Sequence, residues 1–398
     1  MAYQKVTHTS WFTRIGRSFG GVVTGLILIV LASWLLYWNE GRTVKAGGAI
    51  GEAQMLTVQM KDISKVDSSF DGKVIHATGR ADTQDILQDT TFGVEKQAIK
   101  LARKVEYYQW VETSRSETRK KLGGGEERVT TYTYDLKWSR RPVNSSVFED
   151  IRYRNRNTVL AQVADEEMVA PTVDFGAYTL PPFLKNGIGG AKPLPVELSE
   201  EKKEEIAGII NAANAGADFV HSRDNVIFLG RNPGNPQVGD LRISYTEVPP
   251  ADVSIVARVI GSTFEQFVAS NGYTFSRIDM GTVSPETMFE DAKTANTVIA
   301  WVVRVGGTVL VMAGLGMVFA PLSVIADVIP LLGTIVGAGT GLVAFLLGLA
   351  WSLLLIAIAW IRFRPLLAGG LIAVVVAILA LLYMKGRGKK GADSPAAV

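Results

Sequence analysis

The stretch FGGVVTGLILIVLASWLLYW, residues 19–38, carries no charge and decides how the chain is read. A bilayer core of roughly 30 Å is crossed by about 20 apolar residues of helix, and this run has that length. Trp34, Tyr37 and Trp38 end it, as an interfacial aromatic belt would. Lys5, Arg14 and Arg17 precede it. Such a flank also suits a signal peptide, with Val44-Lys45-Ala46 as a passable cleavage site. The run is longer than an ordinary signal-peptide core, so a retained anchor is the better reading. Trp11, Phe12, Ile15 and Phe19 share one helical face and suggest a short helix on the headgroups; a frayed basic tail fits as well.

A second apolar region lies at the other end of the sequence. Residues 305–326 are uncharged between Arg304 and Asp327. At a helical rise of about 1.5 Å per residue these two charges lie about 34 Å apart, each at its own interface, with Arg304 snorkelling beside Trp301. Residues 328–361 are also uncharged, too long a run for one perpendicular span. Pro321 and Pro330 bracket Asp327, which predicts a surface turn before a third span beginning near Leu332. Arg362, Arg364 and Pro365 then turn into a last span, 366–383.

Four spans, one N-terminal plus three C-terminal, put both basic tails in the cytoplasm, whereas five would export one. The expected order is a basic cytoplasmic tail (1–18), the first span (19–38), an extracytoplasmic or lumenal domain (39–293), three spans (297–384) and a basic cytoplasmic tail (385–398). A bacterial inner membrane with a periplasmic domain is favoured. In a eukaryote the same plan gives the endoplasmic reticulum or inner nuclear membrane with a lumenal domain. Gly333, Gly337 and Gly341 recur every four residues and make one smooth helix face. That face suits close helix packing, inside the bundle or between copies of the chain.

The composition, 47% hydrophobic and 20% charged with a mean hydropathy of +0.19, suits a hybrid of membrane and soluble parts. The net charge of +3 is spread along the chain and gives no reason to expect nucleic acid. Absence of cysteine excludes disulfides, thiolate metal sites and cysteine nucleophiles. Between the apolar regions, segments 73–80, 105–112, 129–138, 225–230, 240–248 and 253–260 are rich in β-branched and aromatic residues, which predicts an α+β domain built mainly on antiparallel sheet. Gly123-Gly124-Gly125 predicts a long hairpin with a mobile tip. Ser199 caps a predicted helix over 200–213. Arg152, Arg154 and Arg156 alternate, as on a solvated strand face.

The domain shows no G-x-S-x-G, H-E-x-x-H or Walker motif. His8, His76 and His221 are far apart, and Glu112, Asp135, Asp174 and Asp240 show no aligning spacing. No catalytic, cofactor-binding or metal-binding residue is assigned, no cofactor is expected, and the chain does not read as an enzyme.

Four motifs carry a resemblance. Asn39-Glu40-Gly41-Arg42 follows the first span, Val105-Glu106-Tyr107-Tyr108-Gln109-Trp110-Val111-Glu112 lies on a strand, Val238-Gly239-Asp240-Leu241-Arg242-Ile243-Ser244 opens another, and Arg364-Pro365-Leu366 joins the last two spans. With the one-plus-three span plan, these resemble the LUMA family over essentially the whole chain. The resemblance implies a four-span protein that self-associates and organises membrane complexes, with emerin- and lamin-type partners in eukaryotes, and it brings no catalytic residue set. The glycine-rich third span, short lysine-rich tail and lack of cysteine read as prokaryotic.

The structural and interaction candidates are Glu40, Arg42, Trp110, Gly239, Gly333, Gly337, Gly341, Arg364 and Pro365. Glu40 and Arg42 are expected to pair with each other or with the domain base. Trp110 and Tyr108 are expected to share a face packed in the core or on headgroups, and Gly239 to serve a turn. Expected partners are the bilayer, further copies of the chain and other membrane proteins. A channel or transporter subunit is the runner-up and a membrane-anchored hydrolase the third reading.

Overall fold

The structure, a computed structural model, describes residues 2–210, 216–366 and 368–369. Its helices are α1 (Trp11–Leu56), α2 (Pro182–Lys185), α3 (Glu200–Ala207), α4 (Pro285–Ala326) and α5 (Pro330–Phe363). Three of them, α1, α4 and α5, are long and apolar enough to cross a membrane. Only 17%, 17% and 22% of their most apolar windows is buried within the chain, so these helices need an apolar environment from outside it. The expected fourth span, 366–383, lies outside the described residues except for positions 366, 368 and 369.

Each long helix starts where local chemistry allows. Ser10 and Ser284 cap α1 and α4 through their side chains, on Thr13 N and Thr287 N. Proline occupies the first turn of α4 and α5, where its missing N–H costs nothing. The third apolar run is one continuous helix, with the turn confined to the residues around Asp327–Ile329. Trp11 begins α1 directly, so the expected surface helix is the first turns of the span.

Contact between α1 and α4 rests on glycine. A Cβ added at Gly25 would lie 2.5 Å from Gly314 O, and one at Gly314 would lie 2.8 Å from Gly25 O. Such a crossing lets two backbones touch and gain dispersion that larger residues would block. Past its apolar part α1 continues into the sheet-rich region, where Ala49, Ile50 and Ala53 pack with Met288, Phe289 and Ala292 of α4.

That region has two main sheets. One runs in the order Ala2–Thr9, Glu126–Ser139, Lys100–Lys120, Leu241–Val248, Val226–Leu229, Val220–Arg223. The other is centred on Ala251–Ile260 antiparallel to Val74–Asp82. Each has its own core: Leu101, Val105, Tyr107, Ile243 and Tyr245 in the first, and Ile75, Phe175, Tyr178 and Ile255 in the second.

Lys100–Lys120 and Glu126–Ser139 extend as a hairpin arm beyond the first core. From Tyr107 to Lys120 the arm spans about 43 Å at ~3.3 Å per residue. The N-terminal strand is its third member, pairing antiparallel from Ala2 opposite Thr133 to Thr9 opposite Glu126. Residues 2–9 are therefore neither a frayed tail nor an interfacial helix. Their alternating Tyr3, Lys5, Thr7 and Gln4, Val6, His8 satisfy a strand's period, and the arm offers the edge.

Two further expectations change. Arg152, Arg154 and Arg156 lie in turns and loop, each donating locally: Arg152 Nη2 to Asp150 at 2.6 Å, Arg154 Nε to Phe148 O and Arg156 Nε to Arg152 O. Helix α3 ends at Ala207, and residues 211–215 lie outside the described residues.

Candidate functional site

Two polar clusters fasten the three long helices, one at each end. The first gathers at the base, where the helices meet the sheets. Glu40 is fully buried. Arg304 of α4 grips it in bidentate fashion, Nε to Oε1 at 2.6 Å and Nη2 to Oε2 at 2.8 Å, and Trp360 Nε1 of α5 donates to Oε2 at 2.8 Å. One carboxylate thus joins all three helices. Burying a charge is costly unless its lone pairs are filled, which the bidentate guanidinium and the indole achieve.

Arg304 also lies over the Trp301 ring, 5.0 Å from its centroid, but its charge is paired inward and does not snorkel. Asn39 Nδ2 donates to Ala300 O at 3.1 Å, and Asn296 Nδ2 to Thr43 O at 3.0 Å. Gly41 allows the ring of Phe363 close, since a Cβ there would meet its Cζ at 2.8 Å. Arg42 does not pair with Glu40; its Nη2 donates to Thr43 Oγ1 at 3.3 Å. Arg364 closes α5 through its N–H to Trp360 O at 2.7 Å, and Pro365 follows.

The second cluster is at the far end, around Asp327, which is 1% exposed. Arg14 Nη2 of α1 donates to Oδ2 at 2.5 Å and Lys120 Nζ of the arm to Oδ1 at 2.6 Å. Arg14 Nε also faces Glu126 Oε2 at 3.3 Å, and Arg14 Nη1 donates to Gly124 O at 2.6 Å. Gly123 N donates to Val328 O at 3.0 Å and Trp11 Nε1 to Val324 O at 2.9 Å. The triple glycine is thus a docked tip. Gly124 has φ +76 with the Trp11 ring directly above it, where a Cβ would lie 2.3 Å from Cδ1.

The three regularly spaced glycines have different surroundings. A Cβ at Gly333 would lie 1.7 Å from Asp327 Oδ1, so this glycine makes room for the clasp carboxylate. Gly337 lies against Ser323 of α4 at an ordinary 3.7 Å, and Gly341 meets nothing within 4 Å among the described residues.

On the arm, strand alternation buries Tyr107 and Gln109 (3% and 1% exposed). Gln109 Nε2 donates to Thr158 O and its Oε1 accepts from Val143 N. Tyr108 and Trp110 take the opposite, half-buried face, Tyr108 beside Trp138 and Trp110 edge-on to Tyr153 at 4.7 Å. Gly239 has φ +103 and closely approaches Thr158.

The carboxylates that could have formed a reactive site are dispersed. Glu112 accepts from Tyr134 Oη at 2.6 Å and Glu149 N at 2.8 Å, while Asp135 pairs with Lys137 at the surface. Asp174 sits in a short strand. Asp240 is buried, which raises its pKa, and accepts from Gln237 N at 2.7 Å. The buried trio Arg103, Asp89 and Tyr245 belongs to the first core. Burial acts to lower the Arg103 pKa, but the hydrogen bond and charge of Asp89 outweigh it and hold the guanidinium above its ordinary value. His76 Nε2 lies 2.9 Å from Val283 O, His221 Nε2 lies 3.1 Å from Gly230 O, and His8 faces Glu127. Among the described residues no group of three or more His, Cys, Asp or Glu could hold a metal ion.

The Glu40–Arg304 and Arg14–Asp327 pairings join residues hundreds of positions apart, which no local pattern announces. The available signal was the coincidence of single charges at the ends of apolar runs.

Known proteins similar to this chain in sequence share one description. A family profile described as transmembrane protein 43 matches residues 107–365. Transmembrane protein 43 of Homo sapiens is 29% identical over 385 residues, covering 94% of this chain and 92% of its own length. The Rattus norvegicus protein is 29% identical over 379 residues, 92% of this chain and 91% of its own. The Drosophila melanogaster homolog is 26% identical over 359 residues, 87% and 90% respectively. No solved structure matches. An N-terminal and two C-terminal apolar helices, a large sheet-rich region and a match over most of its length together make this chain a member of the transmembrane protein 43 family.

Proposed function

We propose that the protein is a membrane-embedded scaffold that self-associates and organises membrane protein complexes, with no catalytic activity of its own. The observation carrying this reading is that α1 is tied to the same β-region at both ends. At the base, Glu52 accepts from Ser270 and Lys45 O accepts from Asn271 Nδ2. At the tip, Arg14 holds Gly124 and Glu126. Arg14 and Glu40 lie about 39 Å apart along the helix, a length similar to that of the arm.

In the proposed arrangement, four spans cross the membrane, the sheets lie on the extracytoplasmic or lumenal side, and the arm reaches the cytoplasmic end with the N-terminal strand. Its Thr113, Arg115, Ser116, Glu117 and Arg119 are exposed and polar. Polar strands at bilayer depth are tolerated only when shielded by protein or facing water. Further copies of the chain supply that shield, and the poorly buried helices supply the apolar contact. The same polar arm is the one feature favouring a channel subunit as second reading, since it would line a water-filled space.

Crosslinking in native membranes, followed by identification of what is captured and by sizing in nanodiscs, tests this. Oligomers carrying other membrane proteins are expected. A monomer with no co-captured proteins would overturn the scaffold reading.

A further inference from the structure

Between the N-terminal strand, the arm and the first turns of α1 lies a cavity of about 540 Å³ that the clasps do not fill. Lys5, Arg14, Arg17 and Arg128 line it, against a single lining carboxylate, Glu126. Their charges are unequally matched. Lys5 pairs with Glu149 at 2.8 Å, and Arg14 is engaged by Asp327 and Glu126. Arg128 shares that same Glu126 at 3.5 Å. Arg17 is exposed and makes no ion pair among the described residues.

We infer that this cavity binds a phosphate-bearing anion, held chiefly by Arg17 and Arg128 with the hydroxyl of Thr130. A phosphate monoester carries about 1.5–2 negative charges at neutral pH, matching one unpaired and one half-paired arginine. The planar guanidinium suits its oxygens in bidentate fashion. A dianion also offers several acceptors to these arginine N–H and hydroxyl donors, which a chloride ion cannot do.

The location names two sources of the phosphate. Arg17 lies two residues before Phe19, which is 57% exposed at the start of the apolar run, and Val324 near the end of α4 lines the cavity. A lipid headgroup can therefore enter from the bilayer surface, or free phosphate from the adjoining water.

The test uses the full chain in detergent. Flotation with vesicles of phosphatidylcholine alone or with phosphatidic acid reads the headgroup. A thermal shift with inorganic phosphate, checked against chloride at equal ionic strength, reads the free anion. Arg17→Gln is an exposed change that removes no ion pair; loss of a charge-assisted contact should weaken binding about tenfold or more. Lys45→Gln, at the opposite end of α1, should leave binding unchanged.

Selective binding to phosphatidic acid vesicles, lost in Arg17→Gln, assigns the site to a headgroup. A phosphate-specific shift lost in the same variant assigns it to the free anion. Equal binding by Arg17→Gln and wild type in both measurements, with the fold intact by circular dichroism, overturns the inference.

Discussion

The two ends of the helix bundle are fastened by different means. At the base, one buried carboxylate is satisfied by side chains of the other two long helices, Arg304 and Trp360. At the tip, the buried carboxylate of Asp327 is reached by the first turns of α1 and by a β-arm rooted in the sheet-rich region. The base clasp therefore holds the helices to one another, while the tip clasp holds them to something outside the bundle. Redundancy differs too. Among the described residues Glu40 has one cationic partner, whereas Asp327 has two, and Arg14 retains Glu126 when Asp327 is removed.

The difference predicts unequal costs. Glu40→Ala strands Arg304 in a site where it is 13% exposed. Breaking a buried pair from one side costs about 3–5 kcal/mol, which melting in detergent should show as the largest loss of stability. Glu40→Ala with Arg304→Ala should cost less than the sum of the single changes, because neither charge is then orphaned. Additive losses would mean that the pair is not the unit.

Asp327→Asn should cost about 1.5–3 kcal/mol, the range for a hydrogen bond to a charged group. It should also free the arm, so that proteases cut near Gly123-Gly124-Gly125. Gly333→Ala should give the same protease pattern without touching a charge, since its Cβ would occupy the carboxylate's place. If Gly333→Ala leaves the arm protected, the clasp geometry is wrong.

Gly341→Leu should change monomer stability by less than about 0.5 kcal/mol, as for other open surface positions. Among the described residues nothing lies within 4 Å of a Cβ there, so a loss of crosslinked oligomers would assign this position to self-association, and unchanged oligomers would remove it.

The smallest effect concerns acid. The Arg152 hydrogen bond and charge hold the Asp150 carboxyl below the usual carboxylate range. A lowered folded-state value means that this contribution is present above the unfolded value of about 3.9 and fades as pH falls through the folded one. The aromatic group at the arm's root, Trp110, Tyr153 and Tyr134, reports it. Its fluorescence should stay native as pH falls to about 4 and change only below that.

Much of this was legible in the sequence because it depends on local pattern. Uninterrupted apolar runs marked the three long helices, and β-branched alternation marked strands such as Leu241–Val248 and Ala251–Ile260. A serine marked one helix start, Ser199, whose side chain accepts from Lys202 N. The docking of the hairpin tip was not legible. Three consecutive glycines ordinarily signal freedom, yet here they allow Trp11 and Arg14 to approach backbone.

Nor did the sequence show that residues 2–9 complete a sheet whose other strands begin almost a hundred residues later. An edge strand leaves only a short alternating pattern, and MAYQKVTHTS reads as easily as a polar tail. Gly333 was assigned to a face by periodicity, while its actual neighbour, Asp327, belongs to the turn before its own helix. Periodicity reports which side a residue occupies and not what meets it there.

The central claim, that the N-terminal strand and the arm form one sheet in the membrane-bound protein, is tested most directly by a disulfide. The chain has no cysteine, so Val6→Cys and Val129→Cys introduce the only two thiols. These positions are directly opposed, and cross-strand Cα separations of about 4.5–5.5 Å fall within the range a disulfide bridges. Mild oxidation of native membranes should produce an intramolecular crosslink in high yield in the double variant and none in either single variant. Absence of the crosslink, with the two introduced thiols labelled by impermeant reagents from opposite faces of the membrane, would separate strand from arm and contradict the account.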